Sequence, residues 1–229
     1  MTGALAIFVK TPGLSPIKTR LADSIGPEIS EKFYKASVRA TAACASEVQR
    51  QYGNLQVYWA VAESDGLASP MWAEFPKIYQ GEGSLGLRLS NVYKELLNRH
   101  QFVCFIGADS PHICVSQLLA GIFETARNAQ KKFILGETHD GGFYFFGGSL
   151  PIPEIVWTSV AYSRNQTSNE LSTRLFHIAG VTNIRRDFDV DTVDDLQKYK
   201  EDGFAGSNLL PEQLSLIQWV KSLPLASEL

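Results

Sequence analysis

Hydrophobic and polar positions along the chain change between two periods. Short apolar runs of strand length are separated by longer stretches in which apolar residues recur at the helical spacing. The apolar runs predict strands at 5–9, 55–62, 77–80, 102–107, 133–137, 143–148 and about 181–190. The longer stretches predict helices at 28–50, 84–99, 114–130, 166–178, from about 192, and at 211–222. This alternation predicts an α/β fold in which helices cover both faces of a mostly parallel sheet.

No repeat, low-complexity segment or long linker divides the 229 residues. Since a single α/β domain commonly reaches this length, we predict one three-layer α/β/α domain over residues 1–203. Residues 204–229 contain the last predicted helix and are interpreted as a C-terminal helical extension. Thr192 and Asp195 have the spacing of a capping box, which predicts that the helix expected from about residue 192 begins there.

Composition and charge narrow the class of protein. The net charge of −3 gives no reason to expect binding to nucleic acid or to an anionic membrane. No apolar run approaches the roughly 18 residues of a transmembrane helix, and the first residues lack the basic region of a signal peptide. Cys44, Cys104 and Cys114 form no CxxC pair, which is typical of a reducing compartment. We therefore predict a cytoplasmic protein with small-molecule partners.

The loop after the first predicted strand is rich in proline and carries Lys10, Lys18 and Arg20. It is not a Walker A loop, because Ile17 stands where that motif requires glycine. Parallel sheets bind ligands at the carboxyl ends of their strands, and cations there favour a polyanion. The loop is therefore either a solvated turn or a cradle for a phosphate chain.

Aspartates stand at two further strand ends. Asp109 directly follows a buried strand, where it either caps the next helix or holds a hard cation that bridges phosphates. Asp187, Asp189 and Asp191 alternate, so on an extended segment they would share one face. Their mutual repulsion is relieved either by the arginines at 185–186 or by a divalent ion shared with Asp109.

Two glycine motifs have alternative interpretations. Gly141 and Gly142, after the fifth predicted strand, suit either a tight hairpin turn or the close approach of a ligand. Gly81, Gly83 and Gly86 match the GxGxxG dinucleotide-binding pattern. We keep NAD binding as a weak alternative, because the strand before that motif is short and two βα units precede it.

Taken in order, these motifs resemble the GT-A-type, nucleotide-diphospho-sugar transferase-like proteins of bacteria. The resemblance spans about residues 4–200 and also relates the chain to phospholactate and molybdenum-cofactor guanylyltransferases. It implies a Rossmann-like GT-A fold. The segments that carry it are Lys18–Ala22, Gln80–Arg88, Gly107–Pro111, Asp140–Tyr144 and Asp189–Leu196.

The resemblance implies roles for individual residues. Asp109 and Asp191 would hold Mg²⁺ or Mn²⁺, with Asp189 as the alternative to Asp191. Asp140 would orient or deprotonate the acceptor, and Lys18 and Arg20 would act with it as catalytic residues by neutralising charge. The implied nucleotide-binding residues are Lys10, Lys18, Arg20, Gln80, Gly81, Gly86, Arg88, Gly141 and Gly142.

The function expected from this resemblance is metal-dependent transfer from a nucleotide or nucleotide-sugar donor to a small-molecule acceptor. Asp109-Ser110-Pro111 departs from the Asp-x-Asp of many glycosyltransferases, and the loop 11–16 departs from the glycine-rich loop of many nucleotidyltransferases. We favour a glycosyltransferase; a nucleotidyltransferase and a non-catalytic nucleotide-binding module are the alternatives. A homodimer is a further hypothesis, with the aromatic stretch 70–75 or the helix containing Trp219 as the contact.

Overall fold

The computed structural model describes residues 1–127, 131–202, 204 and 208–224. Its strands are β1 (Gly3–Val9), β2 (Leu55–Val61), β3 (Lys77–Tyr79), β4 (Phe102–Gly107), β5 (Lys132–Glu137), β6 (Phe143–Gly148) and β7 (Gly180–Asn183). Its α-helices are α1 (Thr19–Ile25), α2 (Pro27–Tyr52), α3 (Leu85–Leu97), α4 (Val115–Arg127), α5 (Glu154–Thr158), α6 (Thr167–Phe176), α7 (Val193–Glu201) and α8 (Pro211–Lys221).

The strands of the described chain form one seven-stranded sheet in the order β3-β2-β1-β4-β6-β5-β7. All neighbouring strands are parallel except β6, which runs antiparallel to both β4 and β5. The carboxyl ends of β1, β4 and β5 therefore lie at the same edge of the sheet. The loops that follow these strands, which contain the predicted site residues, therefore lie at this edge.

Each face of the sheet buries its own apolar core. The side chains of β1 alternate between them: Leu5 and Ile7 pack with α2 and α4, whereas Ala4 and Ala6 pack with α3, α5 and α6. The predicted three-layer α/β/α architecture with a mostly parallel sheet is thus confirmed. None of the helices in the described ranges is long and apolar enough to cross a membrane.

A third apolar cluster joins the C-terminal helices to the start of the chain. Leu216 of α8 and Leu196 of α7 pack with Leu21 of α1 and Phe33 of α2. The predicted division between residues 203 and 204 stays a prediction, because residue 203 lies outside the described residues. The end of the helix predicted at 114–130 also lies outside them, beyond Arg127.

The segment after β7 differs from the prediction. The strand expected at about 181–190 ends at Asn183, because β5 ends at Glu137 and leaves no long partner strand beyond it. A single bridge between Thr138 and Asp187 continues the contact. The chain then crosses to the end of β4, where the Val190 N–H donates to the carbonyl oxygen of Asp109 at 2.9 Å. This crossing brings the later aspartates to Asp109.

Other departures are local. The short helices α1 and α5 were not predicted, whereas the capping box of Thr192 and Asp195 at the start of α7 is confirmed. The two aromatic side chains of the stretch 70–75 are buried, and a dimer contact there stays a prediction. Trp72 is fully buried and Phe75 is 6% exposed, because both pack against Trp59 in the core.

Candidate functional site

A cleft with two connected chambers opens at the carboxyl ends of β1 and β4. The first chamber has a volume of about 610 Å³, and its wall combines cations, carboxylates and the end of β1. Polar residues on this wall include Lys10, Lys18, Arg20, Tyr34, Gln80, Arg88, Asp109 and Asp191. The predicted loop cations and the predicted carboxylate pair therefore share one cavity.

The second chamber has a volume of about 430 Å³ and a different chemistry. Arg20, Asp109 and Asp191 belong to the walls of both chambers, which makes the two a continuous cleft. The second chamber adds two carboxylates and a loop between α5 and α6, with Asp140, Asp189, Phe143, Tyr162, Arg164 and Asn165 on its wall. The basic groups thus concentrate in the first chamber, and the additional carboxylates lie in the second.

The start of the first loop is held in place by hydrogen bonds. The Tyr34 hydroxyl on α2 accepts from the Lys10 N–H at 2.9 Å and donates to the Lys10 carbonyl at 2.8 Å. The Thr11 N–H donates to the Glu63 carboxylate at 2.9 Å, and the Trp72 indole donates to the Thr11 hydroxyl at 3.1 Å. This end of the loop is therefore anchored to the core, unlike a solvated turn.

Lys18, Asp109 and Asp191 form a charged group that we call the Lys18 cluster. The Lys18 Nζ lies 2.5 Å from Asp109 Oδ1 and 2.7 Å from Asp191 Oδ1, and its side chain is 4% exposed. Burial lowers the pKa of Lys18, but the charges of both aspartates and their hydrogen bonds outweigh burial and raise it. The ammonium group thus stays protonated between the two carboxylates that the sequence assigns to a metal.

Asp191 and Asp189 differ in their electrostatic surroundings. Burial raises the pKa of Asp191, but the charge and hydrogen bond of Lys18, with smaller effects of Arg20 and Lys10, lower it below its usual value. Burial, together with the charges of Asp191, Asp140 and Asp109, raises the pKa of Asp189 to about 7. Asp189 therefore holds its proton more readily than an ordinary aspartate, because it is buried among other carboxylates.

The carboxylate pair is chemically suited to a divalent cation. Mg²⁺ prefers oxygen ligands and is commonly held by one or two carboxylates together with substrate phosphates. In residues 1–127, 131–202, 204 and 208–224, no group of three or more His, Cys, Asp or Glu side chains could hold a metal. Asp109 and Asp191 fit such an ion only if further ligands come from a bound substrate, and only if Lys18 gives way.

The turn between β5 and β6 positions Asp140. The Thr138 hydroxyl donates to Asp140 Oδ1 at 2.5 Å and the Gly142 N–H donates to the same oxygen at 3.1 Å. Gly141 has a φ of +90°, and a Cβ there would lie 2.0 Å from the Asn165 carbonyl oxygen. The hairpin interpretation is therefore correct. Gly142 lines the second chamber, whereas the close approach at Gly141 is to the protein's own backbone, and its ligand contact stays a prediction.

The residues in and around the GxGxxG segment have different structural roles. The buried Gln80 amide donates to the Ala60 carbonyl at 2.8 Å and lies on the first chamber wall, as does Arg88. Gly81 packs against Asn91, and Gly86 lies in α3 where a Cβ would be 2.5 Å from the Trp157 carbonyl oxygen. Neither glycine lines the two chambers, and their nucleotide contact stays a prediction. The motif also follows the edge strand β3, which disfavours a dinucleotide-binding loop.

Asp187 belongs to a second group, which we call the His112 cluster and which comprises His112, Gln117, Asp187 and Phe188. The His112 Nε2 lies 2.7 Å from Asp187 Oδ1, and the Gln117 amide donates to Asp187 Oδ2 at 2.8 Å. Burial opposes ionisation of Asp187, but these hydrogen bonds outweigh burial and lower its pKa to about 2. The expectation that three aspartates share one face is wrong, because residues 184–190 are not a regular strand.

Neighbouring charges and residues outside the motifs complete the site. Arg186 pairs with Glu137 and does not offset the mutual repulsion of the aspartates at 187–191.

The sequence analysis missed Tyr34, because it lies on the apolar stripe of α2 and resembles a core residue. It also missed Tyr162 and Arg164, which lie in a loop between two predicted elements and carry no motif.

Residues 43–164 match the sequence profile of a family described as "Uncharacterized protein conserved in bacteria" (DUF2064). The chain belongs to this family. The family description specifies no activity, so the geometry of the cleft has to carry the functional argument. No curated protein matches the sequence.

Solved structures share the fold at low sequence identity. A Desulfovibrio desulfuricans G20 protein, provisionally described as a nucleotide-diphospho-sugar transferase, is 19% identical with a TM-score of 0.75, over 96% of this chain and 99% of its own. The 4-diphosphocytidyl-2C-methyl-D-erythritol synthase of Anaerococcus prevotii is 10% identical with a TM-score of 0.55, over 96% and 98%. A cytidylyltransferase of Leptospira borgpetersenii is 14% identical with a TM-score of 0.50, over 96% and 94%. The fold is therefore nucleotide-diphospho-sugar transferase-like.

Proposed function

We propose that the protein is a metal-dependent transferase that moves the sugar of a nucleotide-diphospho-sugar to a small-molecule acceptor. The single observation that carries the proposal is the cleft, in which a basic chamber and an acidic chamber meet at a carboxylate pair. The fold shared with a provisionally described nucleotide-diphospho-sugar transferase supports the glycosyl version.

The first chamber binds the donor in this proposal. Lys10, Arg20 and Arg88 line it, and cationic side chains form strong hydrogen bonds to phosphate oxygens. Gln80 and Gly142 contribute to the walls of the first and second chambers, respectively. The donor would enter with its diphosphate near the Lys18 cluster and its sugar directed towards the second chamber.

The metal site of the proposal consists of Asp109 and Asp191, with Asp189 as an alternative ligand. A bound Mg²⁺ or Mn²⁺ would neutralise the phosphate charge that develops as the donor bond breaks. Arg20 lies on the walls of both chambers, so it can stabilise the same charge from the protein side. The leaving group is the nucleoside diphosphate.

The second chamber receives the acceptor in this proposal. Hydrogen bonds from Thr138 and Gly142 fix one oxygen of Asp140, which orients the carboxylate at the chamber wall. Asp140 accepts the hydroxyl proton of the acceptor as the new bond to the sugar forms. No polymeric partner is needed, and a homodimer through α8 and Trp219 stays a prediction.

Nucleotidyl transfer, of the guanylyltransferase or cytidylyltransferase kind, is the second candidate. It is favoured by Ser110-Pro111 in place of a second aspartate and by the fold likeness to a protein named as a cytidylyltransferase. In this case the acceptor would attack the α-phosphorus of a nucleoside triphosphate and pyrophosphate would leave.

The deciding experiment incubates the protein with nucleotide sugars or nucleoside triphosphates, Mg²⁺ or Mn²⁺, and a panel of hydroxyl acceptors. We expect release of nucleoside diphosphate, whereas release of pyrophosphate would favour the nucleotidyl alternative. The Asp109→Asn variant is the control for contaminating activity. Metal-dependent nucleotide binding without turnover of any donor would instead support a non-catalytic binding module.

A further inference from the structure

The Lys18 ammonium group has the surroundings of a bound cation. Three oxygens lie within 2.7 Å of its Nζ: Asp109 Oδ1 at 2.5 Å, the Val190 carbonyl at 2.6 Å and Asp191 Oδ1 at 2.7 Å. A lysine ammonium has three N–H donors, so each donor has its own acceptor. These are oxygen ligands of the kind that a divalent cation would also select.

The backbone is shaped to bring this side chain inward. Lys18 adopts the left-handed conformation, with a φ of 45° and a ψ of 48°, directly before α1. A non-glycine residue keeps such a conformation only where the surrounding structure enforces it. The Ser30 hydroxyl on α2 donates to the Lys18 carbonyl at 3.2 Å and contributes to this restraint. The contact is thus built into the fold.

An ammonium and a divalent cation cannot both occupy the pair. They would compete for the same oxygens and repel each other. Once displaced, Lys18 needs a new anion, because an unpaired buried ammonium is strongly unfavourable. The first chamber beside it contains Lys10, Arg20 and Arg88, which are cations themselves. A phosphate chain bound in that chamber would supply the missing negative charge.

We propose that Lys18 is an internal counter-ion, so that the Asp109/Asp191 pair binds a divalent cation only together with a phosphate chain. Free metal is excluded from the pair, and the metal–polyphosphate complex is the ligand that the site selects. The inference rests on the proposed function for the identity of the metal site. It goes further by making metal and phosphate binding energetically coupled through one side chain.

The test measures Mn²⁺ binding by equilibrium dialysis, which counts protein-bound metal directly, with and without inorganic pyrophosphate. In the wild type we expect pyrophosphate to tighten Mn²⁺ binding about 5- to 150-fold, the usual range of coupling between two sites. In Lys18→Met, whose side chain is of similar length but uncharged, Mn²⁺ alone should bind tighter than to the wild type by a similar factor. Pyrophosphate should then add little.

Two controls make the result specific. Lys35→Met removes an exposed cation of α2 that pairs with Glu31 and lies on neither chamber wall, so its affinity for Mn²⁺ alone should equal that of the wild type. The double variant Lys18→Met/Asp109→Asn should lose the gain in affinity for Mn²⁺ alone that Lys18→Met shows. If Lys18→Met folds poorly, Lys18→Gly replaces it, because glycine adopts a positive φ without steric cost.

The outcomes separate the inference from the proposed function. If Lys18→Met and Lys18→Gly bind Mn²⁺ alone no tighter than the wild type, Lys18 does not exclude metal and the inference is wrong. If the wild type fails to bind pyrophosphate with Mn²⁺ although Lys18→Met gains Mn²⁺ affinity, Lys18 is the competitor but the proposed donor site is wrong.

Discussion

The Lys18 cluster and the His112 cluster each hold one aspartate from the stretch 187–191, but of these two clusters the Lys18 cluster alone lines the chambers of the cleft. Asp187 accepts hydrogen bonds from His112, Gln117 and the Phe188 N–H, and its side chain is 9% exposed. The side chain of Asp191 is 39% exposed and its described side-chain partner is Lys18. A carboxylate such as Asp187, with hydrogen-bond partners on several sides, stabilises the packing of the segments around it. A carboxylate such as Asp191, which faces a cavity, can exchange its partner for a ligand.

The largest effect should follow from removing the carboxylates of the Lys18 cluster. If Asp109 and Asp191 hold one metal ion, either Asp→Asn change should abolish metal-dependent nucleotide affinity, by about 100-fold or more. The double variant should lose little beyond one single variant, because residues that act as a unit are not additive. A double-mutant cycle on metal-dependent nucleotide affinity measures this. Additive losses of melting temperature with unchanged metal dependence would make both residues structural.

In the His112 cluster we expect a large effect on stability and little effect on nucleotide binding. Asp187→Ala leaves the buried His112 ring and the Gln117 amide without their acceptor, which should lower the free energy of unfolding by about 3 kcal/mol. Nucleotide affinity of the folded fraction should change little, since Asp187 is not on either chamber wall. Urea unfolding measures the loss, and Asp187→Asn, which keeps one carbonyl acceptor, should lose less. Equal stability of the wild type and Asp187→Ala would contradict the distinction between the clusters.

An exposed cation of the cleft should affect binding alone. Arg20→Ala removes charge-assisted hydrogen bonds worth roughly 1.5–3 kcal/mol, so nucleotide affinity should fall about 10- to 100-fold. The melting temperature should stay close to that of the wild type. Isothermal titration with nucleoside diphosphates measures the affinity, and Arg39→Ala on α2, away from both chambers, is the matched control. Unchanged affinity in Arg20→Ala would return the first loop to a solvated turn.

The smallest effect concerns acid stability. The pKa of Asp187 is lowered from 3.8 to about 2 in the folded protein, so its unfolded state binds the proton more readily. Its contribution to stability is therefore complete above about pH 4 and is lost as the pH falls towards 2. The difference in unfolding free energy between wild type and Asp187→Asn should shrink over this window. A difference independent of pH between 6 and 3 would show that ionised Asp187 is not favoured by its surroundings.

Much of the architecture could be predicted from periodicity alone. The apolar runs of β1, β2, β4, β5 and β6 are long enough to fix both type and position, because strands buried on both faces of a sheet have continuous apolar runs. Helix α1 was missed because its seven residues are too few to show a clear period. The end of β7 was misplaced because strand length there depends on where β5 ends, which the sequence around β7 does not encode.

The sequence predicted which residues share the cleft better than it predicted how those residues contact each other. Ordered strand-end motifs correctly brought Lys18, Asp109 and Asp191 into one cleft. They did not reveal that the ammonium lies directly between the carboxylates, because that depends on the left-handed backbone at Lys18 and on the crossing that ends in Val190. A glycine required for helix packing, such as Gly86, and one required by a ligand have the same sequence signature, so the sequence alone does not distinguish them.

The antiparallel strand β6 changes which loops reach the cleft. Because it runs against its neighbours, the residues before β6, and not those after it, lie at the edge of the sheet where the cleft opens. The hairpin between β5 and β6 therefore forms part of the second chamber wall while both of its strands stay paired in the sheet. Lengthening or exchanging this hairpin would reshape one chamber and leave the strand register and the loop between β1 and α1 untouched. The two halves of the cleft can in this way vary independently of each other.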